Sequence, residues 1–342
     1  MERLLNPDEW LAERNTRVLL DVRSPGEYAQ GHIPDAISFP LFTDAERAKV
    51  GTLYKQQGKD VAFTVGLDIV GPKMAGFVRR ASQIAPGKQI AVHCWRGGQR
   101  SRSMAWLLRA AGFDVAVLNG GYKVYRRFVL DFFERSPCQL IVVGGRTGAG
   151  KTRVLHALRA LGEQVVDLEA LARHKGSSFG SIGEDGQPTV EQFENDLFDA
   201  FQQLDWSKKI WLENESRSIG RVYIPEGLWK RMKNSPLLNI EIPHTDRVKN
   251  LVRDYAAFPA GELEQAFLRI DKKLGGLRLN EALEALRLGH YERAAEIALA
   301  YYDKTYQHGL DNNPSPDIRI LKLEHSDPEK IALACREISR GC

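Results

Sequence analysis

Apolar residues in this chain fall into short unbroken runs, separated by stretches where they recur every three or four positions. Runs at 17–21, 36–39, 90–93 and 115–118 read as buried strands, with helical patterns at 25–30, 72–84, 104–111 and 122–133 between and after them. That alternation predicts a small α/β unit with a largely parallel sheet. A second series starts at 140–143. A helical pattern follows (Val154, Leu155, Leu158, Leu161), then strands at 165–167, 210–213 and 237–242, a mostly helical stretch at 245–308, a late strand at 318–323 and a helix at 328–339. The break falls near Arg135-Ser136-Pro137, which predicts two domains, 1–135 and 136–342, the second with a helical insertion around 245–308. Residues 176–187, rich in Gly and Ser, read as a mobile loop over a site or as a plain connector.

Two strand-to-helix turns carry the chemistry. In the first, Cys94-Trp95-Arg96-Gly97-Gly98-Gln99-Arg100 follows an apolar strand and opens a helix. Successive N–H groups in such a turn converge on an anion, and the helix adds its positive end. That field favours a thiolate at Cys94, with Arg100 as an anion ligand. In the second, Gly145-Arg146-Thr147-Gly148-Ala149-Gly150-Lys151-Thr152 matches the phosphate-loop pattern G-x-x-x-x-G-K-[ST] in the required strand–helix context. Its amides and Lys151 suit a diphosphate, and Thr152 would hold Mg²⁺ where a metal is used. Asp167 and Glu213 are placed to assist it, as are Glu215 and Arg217 in the polar run after residue 212. Ser177, Ser178 and Phe179, with His174 and Lys175, are candidates to close over the ligand.

Composition changes the picture in three places. The net charge of +4 conceals an excess of 20 Lys and Arg over 14 Asp and Glu in residues 1–136, which is compatible with a polyanionic partner. Lys123, Arg126 and Arg127, with Tyr122 or Tyr125 for stacking, are RNA-contact candidates. The four cysteines (Cys94, Cys138, Cys335, Cys342) show no paired spacing, which argues against a disulfide framework or zinc site and fits a reducing cytoplasm. No run of eighteen apolar residues occurs, and the start, from Met1 to Pro7, lacks a signal-peptide core, so no membrane partner is expected.

The segment from Asp21 to Ala36, the cysteine turn and Leu118-Asn119-Gly120-Gly121-Tyr122 together resemble rhodanese domains, in the right order, over nearly all of residues 1–135. The resemblance implies that Cys94 is a nucleophile carrying sulfur or selenium. The Cys-x5-Arg loop has seven residues where ordinary rhodaneses have six, and dual-specificity phosphatases of the same fold also have seven. The wider ring suits a phosphorus-bearing donor. Phosphatase chemistry would lack an obvious general acid, with Asp44 and Glu46 the nearest candidates. A rhodanese-like domain followed by a P-loop NTPase-like α/β domain with a helical C-terminal part, together with Gly176-Ser177-Ser178-Phe179-Gly180 and Glu213-Asn214-Glu215-Ser216-Arg217, resembles the tRNA 2-selenouridine synthase family over essentially the whole chain. That resemblance implies an enzyme acting on tRNA with a wobble 2-thiouridine. Sulfur at C2 would be replaced by selenium from selenophosphate, delivered by its synthase, via an S-geranyl intermediate formed from geranyl diphosphate. It implies no tightly bound cofactor. The rival readings are a P-loop kinase or ATPase with a rhodanese or phosphatase-like regulatory module, and a non-enzymatic sulfur-relay or RNA-binding adaptor.

Overall fold

The computed structural model describes residues 2–341 and divides into two units, 2–132 and 133–341. The first runs β1 (Arg3–Leu5), α1 (Pro7–Glu13), β2 (Val18–Asp21), α2 (Pro25–Gln30), β3 (Ile37–Ser38), α3 (Asp44–Gln57), α4 (Lys59–Val70), a 3₁₀ turn at Gly71–Lys73, α5 (Met74–Ile84), β4 (Gln89–His93), α6 (Gln99–Ala110), β5 (Asp114–Leu118) and α7 (Gly121–Arg135), the helix in which the division falls. Its five strands pair in parallel in the order β1-β5-β4-β2-β3. The connection after β2 runs outward to β3 and the one after β4 runs the other way to β5, so the turn after β4 sits where ligands bind in open α/β sheets.

Sequence periodicity explains the packing. Ser101, Met104, Ala105 and Leu108 are the buried positions of α6, one stripe at i, i+3, i+4, i+7. Met104 and Leu108 pack with Phe77 of α5 and with Ile90 and Val92 of β4; full burial of such side chains contributes about 2 kcal/mol each. The helical pattern expected at 72–84 becomes a proline-started 3₁₀ turn followed by α5. Helices α3 and α4 have no counterpart among the predicted elements. Residues 59–84 also form a helical run long and apolar enough, by length and composition, to cross a membrane, although six charged residues interrupt it (Lys59, Asp60, Asp68, Lys73, Arg79, Arg80).

The second unit continues with β6 (Leu140–Gly145), α8 (Lys151–Ala160), β7 (Gln164–Val165), α9 (Leu168–Ala172), α10 (Val190–Gln202), β8 (Ile210–Glu213), β9 (Ser218–Ile219), β10 (Val222–Tyr223), α11 (Glu226–Lys233), β11 (Leu237–Glu241), α12 (His244–Tyr255), α13 (Ala260–Leu268), α14 (Asp271–Leu274), α15 (Gly276–Arg287), α16 (Tyr291–Asp311), β12 (Ile318–Lys322) and α17 (Pro328–Ser339). Its parallel sheet has the order β12-β11-β6-β8-β7, and β9 and β10 make a separate antiparallel pair. β6 is central, and the turn after it again lies at a switch point. Helices α13, α15 and α16 enclose a second apolar core with Phe179 and Ile182. The 176–187 segment is therefore anchored by buried side chains, which corrects the mobile-loop reading.

The rhodanese-like signature has a mechanical basis. Asp21 and Arg23 form a buried bidentate ion pair, and Arg23 also donates to the Gly31 carbonyl and stacks over the Tyr122 ring at 3.8 Å. Ser24 and Glu27 make a capping box at the start of α2. Tyr122 N–H and Lys123 N–H, at the start of α7, donate to the carbonyls of Cys94 and Trp95, each at 2.9 Å. That contact requires glycine at 121, where φ is +62° and an added Cβ would stand 2.3 Å from the Cys94 oxygen. Gly121→Ala is expected to destabilise the first unit by about 2–4 kcal/mol, read as a lower urea midpoint; an unchanged midpoint would contradict this packing.

Candidate functional site

The cysteine turn is fully formed. Cys94 closes β4 at 3% exposure, with its Sγ 3.3 Å from the Ser101 Oγ of α6. Trp95, Arg96 and Gln99 are exposed around it, while Gly97, Gly98 and Arg100 are half-buried. Arg100, the anion ligand expected from the sequence, ion-pairs with Glu27 at 2.6 Å. Burial works against the Arg100 charge, and the hydrogen bond and charge of Glu27 outweigh it and hold the guanidinium above its ordinary pKa. His93 is completely buried, 3.6 Å from Asp21, with neither ring nitrogen hydrogen-bonded. Burial lowers its pKa and favours the neutral ring, so it packs the strand end. Glu46 caps α3 and bonds Lys73 at 2.6 Å; Lys73 holds its carboxyl below the usual range, which makes it a poor general acid. Asp44 accepts from the Gly26 N–H at 2.9 Å.

The phosphate-type turn is braced from the C-terminal helices. Gly145 N–H donates to the Tyr306 hydroxyl at 2.7 Å, and that hydroxyl donates to Asn239 Oδ1 at 2.5 Å. Asn250 Nδ2 donates to the Gly148 carbonyl at 2.8 Å. Gly148 has φ +80°, and a Cβ there would lie 2.8 Å from the Arg247 carbonyl oxygen. Arg247 is itself fixed by Asp303. Ala149 N–H closes the turn onto the Arg146 carbonyl, and Arg146 reaches Gln307 at 2.8 Å.

This turn floors a cavity of about 790 Å³, lined among others by Thr147, Lys151, Thr152, Asp167, Glu169 and Glu215. Burial disfavours the Lys151 ammonium, but Glu215 and Glu169 outweigh it and raise its pKa above the usual lysine value. Thr152 Oγ1 donates to Glu169 Oε2 at 3.0 Å, and Glu169 N–H donates to Glu213 Oε1 at 2.7 Å. Burial, then the carboxyl groups of Asp167, Glu169 and Glu215, push Glu213 well above the carboxylate range, and its second oxygen is unpaired. Asp167 caps α9 and faces His156 at 3.1 Å. Burial raises Glu215 to about 7, against the pull of Lys151.

The other predicted residues divide. Lys175 and Ser177 line the cavity. Phe179 lies in the neighbouring apolar core, and Ser178 N–H donates to the Tyr302 hydroxyl. Arg217 is exposed and pairs with Glu226 at 2.6 Å, away from the cavity lining. Lys123 and Arg127 are exposed on α7 and Arg126 is half-buried, but Tyr122 and Tyr125 are 0% and 1% exposed. Neither tyrosine can stack on a base, which corrects that expectation. Cys138 and Cys335 are buried and unpaired, like Cys94; Cys342 lies outside the described residues. Sequence reasoning missed Glu169, Tyr302 and Tyr306. The last two sit one turn apart on α16, a spacing that marks one helix face.

An apolar pocket adjoins the cavity. Phe179, Leu263, Phe267, Leu286 and Ala298 line it, and Thr147, Ser177, Leu251, Tyr255 and Tyr302 border both spaces. Among the described residues, no cluster of three or more His, Cys, Asp or Glu is arranged to hold a metal.

Glu215 and Glu213 make stability pH-dependent. A carboxyl whose folded pKa is raised keeps its proton where the unfolded chain has lost it, so its contribution is present below about 4.5 and is lost as pH rises toward 7. The melting temperature is expected to fall between pH 5 and 8, and Glu215→Gln to flatten that slope. A slope identical in the variant would contradict the assignment.

A family model described as the tRNA 2-selenouridine synthase AAA domain matches residues 138–319, and one described as the Rhodanese-like domain matches residues 7–128. A tRNA 2-selenouridine synthase of Psychromonas ingrahamii is 32% identical over 325 residues, covering 86% of this chain and 88% of its own length. Proteins of the same name from Bdellovibrio bacteriovorus and Bordetella bronchiseptica are each 36% identical, covering 86% and 94% of this chain and 89% and 91% of theirs. Matched by both family models and by relatives of this name along most of its length, the chain belongs to the tRNA 2-selenouridine synthase family.

Proposed function

We propose that this enzyme converts wobble 2-thiouridine in tRNA to 2-selenouridine in two steps at two sites. In the first, the thiouridine sulfur attacks the C1 carbon of geranyl diphosphate at the phosphate-type turn, and diphosphate leaves. In the second, selenium from selenophosphate displaces the geranyl thiol from C2 at the Cys94 turn. Alkylation is needed because a thiocarbonyl sulfur leaves poorly, whereas a thioether leaves as a thiol.

The observation that carries this reading is the apolar pocket bordering the phosphate-type cavity on five shared residues. A diphosphate head in the amide cradle places an attached hydrocarbon among Phe179, Leu263 and Phe267. A prenyl diphosphate has that shape, and a nucleoside triphosphate has a polar base and ribose instead. The pocket therefore favours prenyl transfer over a kinase or ATPase. Lys151 and the loop amides stabilise charge on the leaving diphosphate. Thr152 and Glu169 offer a hydroxyl and a carboxylate, the hard oxygen donors Mg²⁺ takes alongside phosphate oxygens. Such an ion would neutralise further charge on the diphosphate. Cys94 takes part in selenium delivery, within a turn whose amides suit selenophosphate oxygens. Exposed Lys123 and Arg127, with the excess positive charge of the first unit, suit the tRNA backbone. Trp95, 36% exposed beside Cys94, offers the stacking surface that the buried tyrosines do not.

Cys94→Ala is expected to abolish selenation while leaving prenylated tRNA to accumulate, read by mass spectrometry of digested nucleosides. Loss of both activities would contradict separate sites. Lys151→Ala is expected to weaken geranyl diphosphate binding about 30- to 100-fold; wild-type affinity would remove the loop from that role. Ala298→Phe fills the apolar pocket and is expected to raise the KM for geranyl diphosphate above that for dimethylallyl diphosphate, and an unchanged ratio would place the hydrocarbon elsewhere.

A further inference from the structure

Helices α3 and α4 pack against each other and leave an apolar surface uncovered. No α3 residue is buried, and α4 buries only Ala62 and Gly66. Tyr54 is 59% exposed, Phe63 43% and Leu67 55%. Single exposed apolar residues are ordinary, but a contiguous group edged by polar side chains marks a binding surface. Here the group is contiguous. Tyr54, Phe63 and Leu67 line one groove with Phe42, and Gln99, Arg100 and Ser103 of α6 line it too. Phe63 and Leu67 lie one turn apart, on the same face of α4. Gly66 keeps the groove deep; the nearest atom to a Cβ there is the Phe42 ring edge at 3.6 Å.

Two features identify the occupant. The groove is continuous with the reactive turn, because Gln99 and Arg100 belong to both. Its lining also includes Lys59, an exposed lysine, so an apolar floor carries an ammonium group at one side. That combination suits a hydrocarbon chain attached to an anionic nucleic acid.

We propose that this groove receives the prenyl chain of S-geranyl-2-thiouridine when the nucleoside reaches Cys94, an inference that rests on the two-step reading above. It is a second prenyl subsite, used by the intermediate, where the pocket beside the phosphate-type turn is used by the donor. With the chain in the groove, C2 of the base faces the anion turn. The selenium of selenophosphate bonds to C2, the C2–S bond breaks, and its electron pair leaves on sulfur. The geranyl thiolate takes a proton from water. Water then cleaves the Se–P bond, releasing phosphate and leaving selenium on C2. The groove thus selects the alkylated nucleoside over free thiouridine and holds the departing thiol out of water.

The test uses the full-length protein with selenophosphate and two synthetic substrates, tRNA carrying S-geranyl-2-thiouridine and tRNA carrying S-methyl-2-thiouridine. Leu67→Glu is expected to raise the KM for the geranyl substrate about tenfold, leaving the KM for the methyl substrate and the prenylation of thiouridine tRNA unchanged. Tyr54→Glu, at a more exposed position, should act in the same direction and guards against a folding defect in the first variant. Unchanged geranyl KM in both variants overturns the subsite while leaving the two-step reading intact. Wild-type protein that fails to convert geranylated tRNA overturns the two-step reading and this subsite with it. Leu67-dependent sedimentation with phosphatidylglycerol vesicles, alongside unaltered selenation kinetics, assigns the groove to a membrane surface and also overturns it.

Discussion

At Gly121 and Gly148 the main chain of one segment comes so close to the main chain of another that a single methyl group would collide with a carbonyl oxygen, at 2.3 Å and 2.8 Å. The first contact seats the start of α7 against the Cys94 turn, and the second seats the phosphate-type turn against α12. The cysteine turn is held by peptide–peptide hydrogen bonds, and the phosphate-type turn by close packing on the Arg247 carbonyl and by the Asn250 and Tyr306 side chains. Amide dipoles held this way need no reorganisation when an anion arrives, which is the condition under which they stabilise developing charge best. Arg100 ties the cysteine turn to Glu27, and Tyr306 bridges the end of β6 to Asn239.

The two turns differ in their electrostatic setting. Around Cys94 the charges are compensated in pairs, Arg23 with Asp21 and Arg100 with Glu27. Around Lys151 they are crowded, with Glu169, Glu213 and Glu215 in one chain of contacts behind a single ammonium. Crowded carboxyl groups raise one another's pKa and retain protons. Lys151 is therefore faced by carboxyl groups of which Glu215, raised to about 7, is partly protonated near neutral pH.

Much of this was readable in the sequence because local chemistry dictated it. The two glycine turns, the strands that feed them and the stripe of α6 follow from residue type and spacing alone. Partners supplied from far along the chain were not readable: Tyr306 lies 161 residues from the Gly145 N–H it accepts from and Tyr302 lies 124 from Ser178, and the helical pattern of α16 does not say which face meets them. Glu169 was hidden by Asp167, which looked better placed but spends one oxygen capping α9 and faces His156 with the other. Tyr122 and Tyr125 looked like stacking residues beside basic neighbours, yet they are the inward face of α7, where Arg23 packs on Tyr122. Helices α3 and α4 escaped notice because they bury little: Ala62 and Gly66 are buried and Val50, Ile69 and Val70 pack on the core in part, while Tyr54, Phe63 and Leu67 stay exposed.

The central claim is that the diphosphate chemistry precedes the selenium chemistry and is required for it. A time course with the wild-type protein, thiolated tRNA, geranyl diphosphate and selenophosphate, sampled for nucleosides, tests it most directly. The account predicts that the S-geranyl nucleoside rises first and decays as the selenonucleoside accumulates, and that no selenonucleoside forms when geranyl diphosphate is left out. Selenonucleoside forming at an undiminished rate without geranyl diphosphate would contradict it.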